Sequence, residues 1–170
     1  MKQTIRRRRS AHQPHFSSGN PAAIWQEAQL APRITRTRSA DENHVVHTVE
    51  GGRRSHRRRP CAGCPWLIQN AKTFPAEAFR LSANTAYDAS LHQFACHESG
   101  TDKPATCAGF LLRNADNNIG ARLAAMHGEI DLSVLEDPGD ALFDSYREMA
   151  VANGVSADDP VLAPCRANFE

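Results

Sequence analysis

The stretch Arg59-Pro60-Cys61-Ala62-Gly63-Cys64-Pro65-Trp66 decides how the rest of the chain is read. Two cysteines separated by two residues in a Pro- and Gly-bearing turn point both sulfurs to one side, so both can bind one metal ion. Cys96 and Cys107 follow, and the full spacing is Cys-x2-Cys-x31-Cys-x10-Cys. Cys61 and Cys64 make a half-site for either zinc or an iron–sulfur cluster. The other half lacks the second Cys-x2-Cys of a zinc ribbon, which counts against an ordinary zinc finger. An isolated pair with two separated single cysteines is an arrangement iron–sulfur proteins often show, and Cys64-Pro65 matches the Cys-Pro step of bacterial ferredoxin motifs. The metal set is therefore read as Cys61, Cys64, Cys96 and Cys107, holding a [4Fe–4S] cluster or zinc, with the balance tilted to the cluster. His97, beside Cys96, either replaces one cysteine as a ligand or donates a hydrogen bond to one. Cys165 lies 58 residues beyond Cys107 and reads as a packed thiol outside the site.

Working outward, the charge is distributed unevenly. Residues 1–60 carry 13 Lys/Arg against 4 Asp/Glu, whereas residues 61–170 carry 7 against 15. That polarity reads as a basic arm on an acidic domain. Residues 1–58 form the arm: Arg6–Arg9, Arg33, Arg36 and Arg38, and Arg53-Arg54 with Arg57–Arg59 alternate with Ser, Gly, Pro and His. So few large apolar residues cannot offset the entropy of ordering, which predicts a disordered segment. Within it, Pro21–Leu30 reads as a short helix and Val45–Val49 as a short strand. The arm reads either as a contact with nucleic-acid phosphates through arginine or as having no function, being a solvated tail or a consequence of translation starting further downstream.

No apolar run approaches the ~20 residues of a membrane-spanning helix, and no hydrophobic segment follows the basic opening to make a signal peptide. The expected location is cytoplasmic, with no membrane contact. In a reducing compartment cysteines at these spacings serve metals or redox chemistry rather than structural disulfides, and the odd total of five fits pairing poorly.

From residue 59 to 170 the pattern predicts a small, mainly α domain with irregular loops around its cysteines. Phe74-Pro75-Ala76-Glu77 opens a helix to about Tyr87, since proline suits the first turn and Glu77 favours the positive helix end. His92–His97 reads as a short extended piece. Pro104 starts a second helix through Cys107 to about Asn114, placing the Cys107 sulfur where free N–H groups stabilise a thiolate. Ile119, Leu123 and Met126 fall on one helical face. Asp140–Asn153 is the clearest helix, with Leu142, Phe143, Tyr146, Met149 and Ala150 as its apolar stripe. In so small a fold a bound metal supplies stability that a limited core cannot.

Arg59-Pro60-Cys61-x-x-Cys64-Pro65-Trp66, Phe74-Pro75-Ala76, Phe94-Ala95-Cys96-His97-x-Ser99, Cys107-Ala108-Gly109-Phe110 and Met149-Ala150-x-Ala152-Asn153-Gly154 together resemble an uncharacterised domain-of-unknown-function family of bacteria and their phages. The resemblance covers about residues 58–166 and leaves the Arg-rich arm outside. It implies that the four cysteines and His97 belong to one site, and it implies no known reaction. Leu67 departs from the basic residue expected after Trp66, which removes support for an anion contact there.

No phosphate-cradling loop, nucleophile elbow or His-Glu zinc-protease motif is present. A zinc deaminase needs His-x-Glu upstream of Pro-Cys-x-x-Cys; here His97-Glu98 lies downstream. The sequence thus favours a metal-binding module, regulatory or redox-sensing, that acts on a protein partner. An iron–sulfur or zinc enzyme and a nucleic-acid binder through residues 1–58 are the alternatives.

Overall fold

Val45, Val46 and Val49 are β-branched residues that suit a pleated, buried surface, and they form the strand β3 (His44–Glu50). The computed structural model describes residues 1–7, 31–52 and 54–166. In it β3 pairs antiparallel on one edge with β1 (Lys2–Arg7) and on the other with β2 (Arg33–Ser39). The short β4 (Gln93–Phe94) joins β1 in parallel, so the sheet order is β2-β3-β1-β4.

This overturns the mainly α expectation. The fold is mixed α/β, and three of its four strands come from residues expected to form a disordered arm. The reason lies in long-range pairing. β1 is polar in composition, yet Lys2, Gln3 and Thr4 are buried with Ile5. The Lys2 ammonium donates to the carbonyls of Pro104 at 2.9 Å and Ser55 at 3.4 Å, so a cation is satisfied by distant backbone. β2 is an exposed edge strand, where charged residues discourage pairing with other chains. Arg38 of β2 donates to the Leu81 carbonyl. The helix expected over Pro21–Leu30 lies outside the described residues.

Among the described residues four α-helices follow: α1 (Ala76–Ser82), α2 (Ala108–Asn114), α3 (Ile119–Met126) and α4 (Tyr146–Ala152). α2 begins four residues later than Pro104 suggested, because Thr106 is drawn into bridges with His56 and Ala95. α4 also starts late: Ser145 caps it by accepting from the Glu148 N–H at 3.1 Å. Leu142 and Phe143 therefore precede the helix, and the Phe143 N–H donates to the Trp66 carbonyl at 3.0 Å. Both remain buried with Tyr146, Met149 and Ala150, so the apolar set survives although the helix is shorter.

The α3 face is the reverse of the predicted one. Ile119, Leu123 and Met126 are exposed, while Gly120, Ala121 and Ala124 face the core. The helix packs by backbone approach: a Cβ on Gly120 would stand 2.5 Å from the Leu91 carbonyl oxygen. Small residues were selected by closeness, which periodicity of large ones does not register.

Trp66 is the centre of the core. Fully buried, it meets Phe94, Phe110 and Tyr146 edge-on at ring-centroid distances of 6.4, 6.4 and 6.0 Å. The Tyr146 hydroxyl donates to the Phe79 carbonyl at 2.6 Å and lies 2.8 Å from Ser82 Oγ, so its polar end is satisfied inside. Among the described residues no helix is long and apolar enough to cross a membrane.

Candidate metal centre

The turn at Cys61–Cys64 is closed by a 2.9 Å hydrogen bond from the Cys64 N–H to the Cys61 carbonyl. Asn70 clamps it from outside, its Nδ2 donating to the carbonyls of Ala62 at 2.8 Å and Cys64 at 2.9 Å. The Trp66 N–H points back at the Cys64 sulfur. The knuckle is thus fixed by the residue that anchors the core, and its sulfurs have little freedom.

The other two cysteines arrive from the end of β4. The Cys96 N–H donates to the Ala105 carbonyl at 2.8 Å, and the Cys107 N–H to the Phe94 carbonyl at 2.9 Å. Ser99 ties the loop between them, donating from Oγ to the Cys96 carbonyl at 2.7 Å and accepting from the Ala105 N–H at 3.0 Å. Cys107 sits at the N-cap position of α2 rather than within its first turn.

These segments bring together all five residues singled out by sequence. Cys64 Sγ and Cys107 Sγ stand 3.5 Å apart, and Cys61 Sγ and Cys96 Sγ 3.7 Å apart. His97 Nδ1 lies 3.7 Å from Cys61 Sγ, and the donor atoms of Cys61, Cys96 and His97 are all within 4.8 Å of one another. Cys64, Cys96 and Cys107 are buried; Cys61 and His97 form the partly exposed outer side. Two sulfurs held about 2.3 Å from one tetrahedral zinc ion stand about 3.8 Å apart, so each pair taken singly has that spacing, while the donors that are all mutually close among the described residues are Cys61, Cys96 and His97.

The electrostatics fit a cation. Hydrogen bonds from the Cys64 and Cys96 thiols, and then from His97, hold the Cys61 thiol far below the ordinary thiol range. Cys64 is pushed far up by Cys107, Cys61 and burial, and Cys96 by Cys61 and burial. A divalent ion would offset the upward push on any of these thiols that it binds, because it stabilises a bound thiolate.

Arg57 was missed as a site residue. It hydrogen-bonds Cys96, opposing the upward push on that thiol. In the sequence it is one of a run of arginines and reads as part of a basic arm. Its place comes from the backbone: the Arg57 N–H donates to the Thr106 carbonyl at 2.9 Å, one residue before Cys107. No signal in the sequence distinguishes it from Arg58 or Arg59.

Two glycines set the packing. A Cβ on Gly63 would stand 3.1 Å from His97 Nε2, and a Cβ on Gly109 would stand 2.6 Å from Trp66 Cβ. Gly109→Ala gains helix propensity of at most about 1 kcal/mol, against overpacking that costs about 1–3 kcal/mol. The clash is with the rigid stem of Trp66, so the net expectation is destabilisation, read as a lower midpoint in urea unfolding with unchanged slope.

Cys165 lies apart from the site, its sulfur 3.7 Å from the Ala83 carbonyl oxygen. Burial pushes its pKa up to about 12. Because the folded state holds the proton more tightly than the unfolded one, stability attributable to this thiol is full below pH about 9 and falls as pH rises towards 12. At pH 8 Cys165 is expected to resist iodoacetamide in the folded chain and react promptly once the chain is unfolded, as peptide mass spectrometry would show.

Residues 56–166 match a family model described as "Family of unknown function (DUF6283)". The match contains Cys61, Cys64, Cys96, His97, Cys107 and Arg57, together with β4 and all four helices, and leaves β1–β3 outside. No curated protein and no solved structure matches the chain.

Proposed function

The chain belongs to this family of unknown function, DUF6283, and from its own residues we propose that it is a regulatory module built on one zinc ion held by Cys61, Cys64, Cys96 and Cys107. The observation that carries the reading is the grouping of the Cys61, Cys96 and His97 donor atoms within 4.8 Å of one another, with Cys64 and Cys107 paired at 3.5 Å beside it. A [4Fe–4S] cluster uses one thiolate per iron, so its four sulfurs sit on separate corners and stand further apart. The balance that spacing alone tilted to the cluster therefore moves to zinc. His97 Nδ1 lies 3.7 Å from the Cys61 sulfur, within reach of a hydrogen bond that would orient that ligand.

Four thiolates close the coordination sphere, and a catalytic zinc needs an open position. That supports a binding module over a zinc enzyme. Anaerobic purification followed by elemental analysis and a visible spectrum tests the reading. A colourless protein with one zinc per chain is the expected result. Brown protein containing iron and sulfide would replace zinc by the cluster, and folded protein free of any metal would remove the centre altogether.

A further inference from the structure

We propose that Cys61 is the site at which a hydroperoxide attacks this centre, and that Cys96 closes the first disulfide and so expels the zinc. The inference deepens the zinc reading and rests on it. Three observations carry it, and the first is access. Cys64, Cys96 and Cys107 have 0%, 1% and 2% of their surface exposed, whereas Cys61 is only partly buried. A small oxidant therefore meets one sulfur before the others.

The second observation is a route. Cys61 lies in the wall of an open cleft of about 510 Å³, shared with His56, Arg57, Arg58, Arg59 and Glu136. Arg58 and Arg59 line this cleft, and the Arg58 carbonyl accepts from the Glu136 N–H at 2.7 Å across it. Its lining is polar, which suits a hydrated peroxide and not a lipid tail.

The third is the direction of the partner sulfurs. Cys96 Sγ stands 3.7 Å from Cys61 Sγ. Cys64 also hydrogen-bonds Cys61, but its thiol is shared with Cys107 at 3.5 Å and with the Trp66 N–H. The resolving residue is thus the one across the loop rather than the other member of the Cys-x-x-Cys pair.

The chemistry balances as follows. The Cys61 thiolate attacks one peroxide oxygen, the O–O bond breaks, and the leaving hydroxide or alkoxide takes a proton, giving a sulfenic acid. The Cys96 thiolate attacks the sulfenic sulfur, an S–S bond forms, and hydroxide leaves and is protonated. The two cysteines together give up two electrons; the peroxide is reduced to water and, for an organic peroxide, an alcohol. Zinc then has two thiolates where it had four and leaves. A dithiol reductant restores the site.

The test uses the full chain carrying Cys165→Ser, so that only the four site cysteines remain. One equivalent of hydrogen peroxide is added, released zinc is read with a chromogenic chelator, and disulfides are mapped by differential alkylation and mass spectrometry. The expected result is loss of nearly all bound zinc together with a first disulfide joining Cys61 and Cys96, Cys64 and Cys107 remaining alkylatable after denaturation. A first bond between Cys61 and Cys64 or between Cys64 and Cys107 would overturn the proposal, as would zinc retained after peroxide. If the protein as purified holds no zinc, the metal reading fails by itself; the disulfide map on that same protein still decides the order of the cysteines.

Discussion

Cys107→Ser is expected to empty the metal centre and to lower the melting temperature by roughly 10 °C or more, whereas Cys165→Ser shifts it by a few degrees and leaves the zinc content at one per chain. Both residues are buried cysteines, 2% and 4% exposed, so burial does not separate them. Their neighbours do. Cys107 has a second sulfur at 3.5 Å, and Cys165 has only a backbone carbonyl at 3.7 Å. Losing a metal ligand belongs to the short list of changes that cost several kcal/mol, and about 1 kcal/mol moves the melting temperature of a chain this size by roughly 2–4 °C. On the proposed zinc site the Cys107 loss is large because metal binding would supply folding energy, with the loop Cys96–Cys107 and the knuckle Cys61–Cys64 meeting at the ion. Thermal unfolding by circular dichroism, with zinc measured on the same samples, checks both variants. Equal losses at all five cysteines would overturn the assignment of Cys165 as a bystander.

Removal of residues 1–43 is expected to abolish cooperative unfolding. This result bears on the basic segment that composition reads as dispensable. The truncation removes both β1 and β2, the two neighbours of β3, and β1 is also the strand that pairs with β4, so β3 and β4 are left without any paired strand. The bonds at stake lead directly to the metal centre. The Met1 carbonyl accepts from the Gln93 N–H at 2.8 Å, and the Gln3 carbonyl accepts from Ala95, the residue before Cys96. Ile5 and Val46, both essentially fully buried, lose each other's cover. A truncated chain is expected to bind zinc weakly or not at all and to show collapsed amide dispersion in a nitrogen–proton correlation spectrum. A well-dispersed, zinc-bearing chain of residues 44–170 would instead restore the reading of a dispensable arm. The outcome also separates the roles of the arginines, since Arg57–Arg59 are retained in that chain.

The site was far more legible than the fold. Cys61 and Cys64 announce themselves because a two-residue spacing forces their sulfurs to one side, a local geometric fact that needs no tertiary information. Cys96 with His97, and Cys107, were found by residue chemistry and by the resemblance carried on their neighbouring residues. The sheet was illegible for an equally physical reason. β1 has one large apolar residue, Ile5, and its polar Lys2, Gln3 and Thr4 are buried beside it. The Lys2 ammonium is answered by carbonyls more than fifty residues away, so nothing local reveals that this strand is inside. Periodicity failed on α3 because the residues that approach the core there are Gly120, Ala121 and Ala124.

What the sequence determined by itself is the donor set and the chemistry open to it: thiols and an imidazole at spacings that allow one shared centre. It also determined the apolar set around Trp66, including Leu142, Phe143, Tyr146 and Met149, whatever their secondary structure. Tertiary structure alone decided that the basic N-terminal strands form most of the sheet and that Arg57 is turned to Cys96. It also decided how far apart the sulfurs stand. Spacing along a chain limits which donors can meet, but the distance between them depends on the surrounding packing. Here the Asn70 clamp and the Ser99 tie fix the loops that carry the cysteines, and the donor atoms of Cys61, Cys96 and His97 come within 4.8 Å of one another.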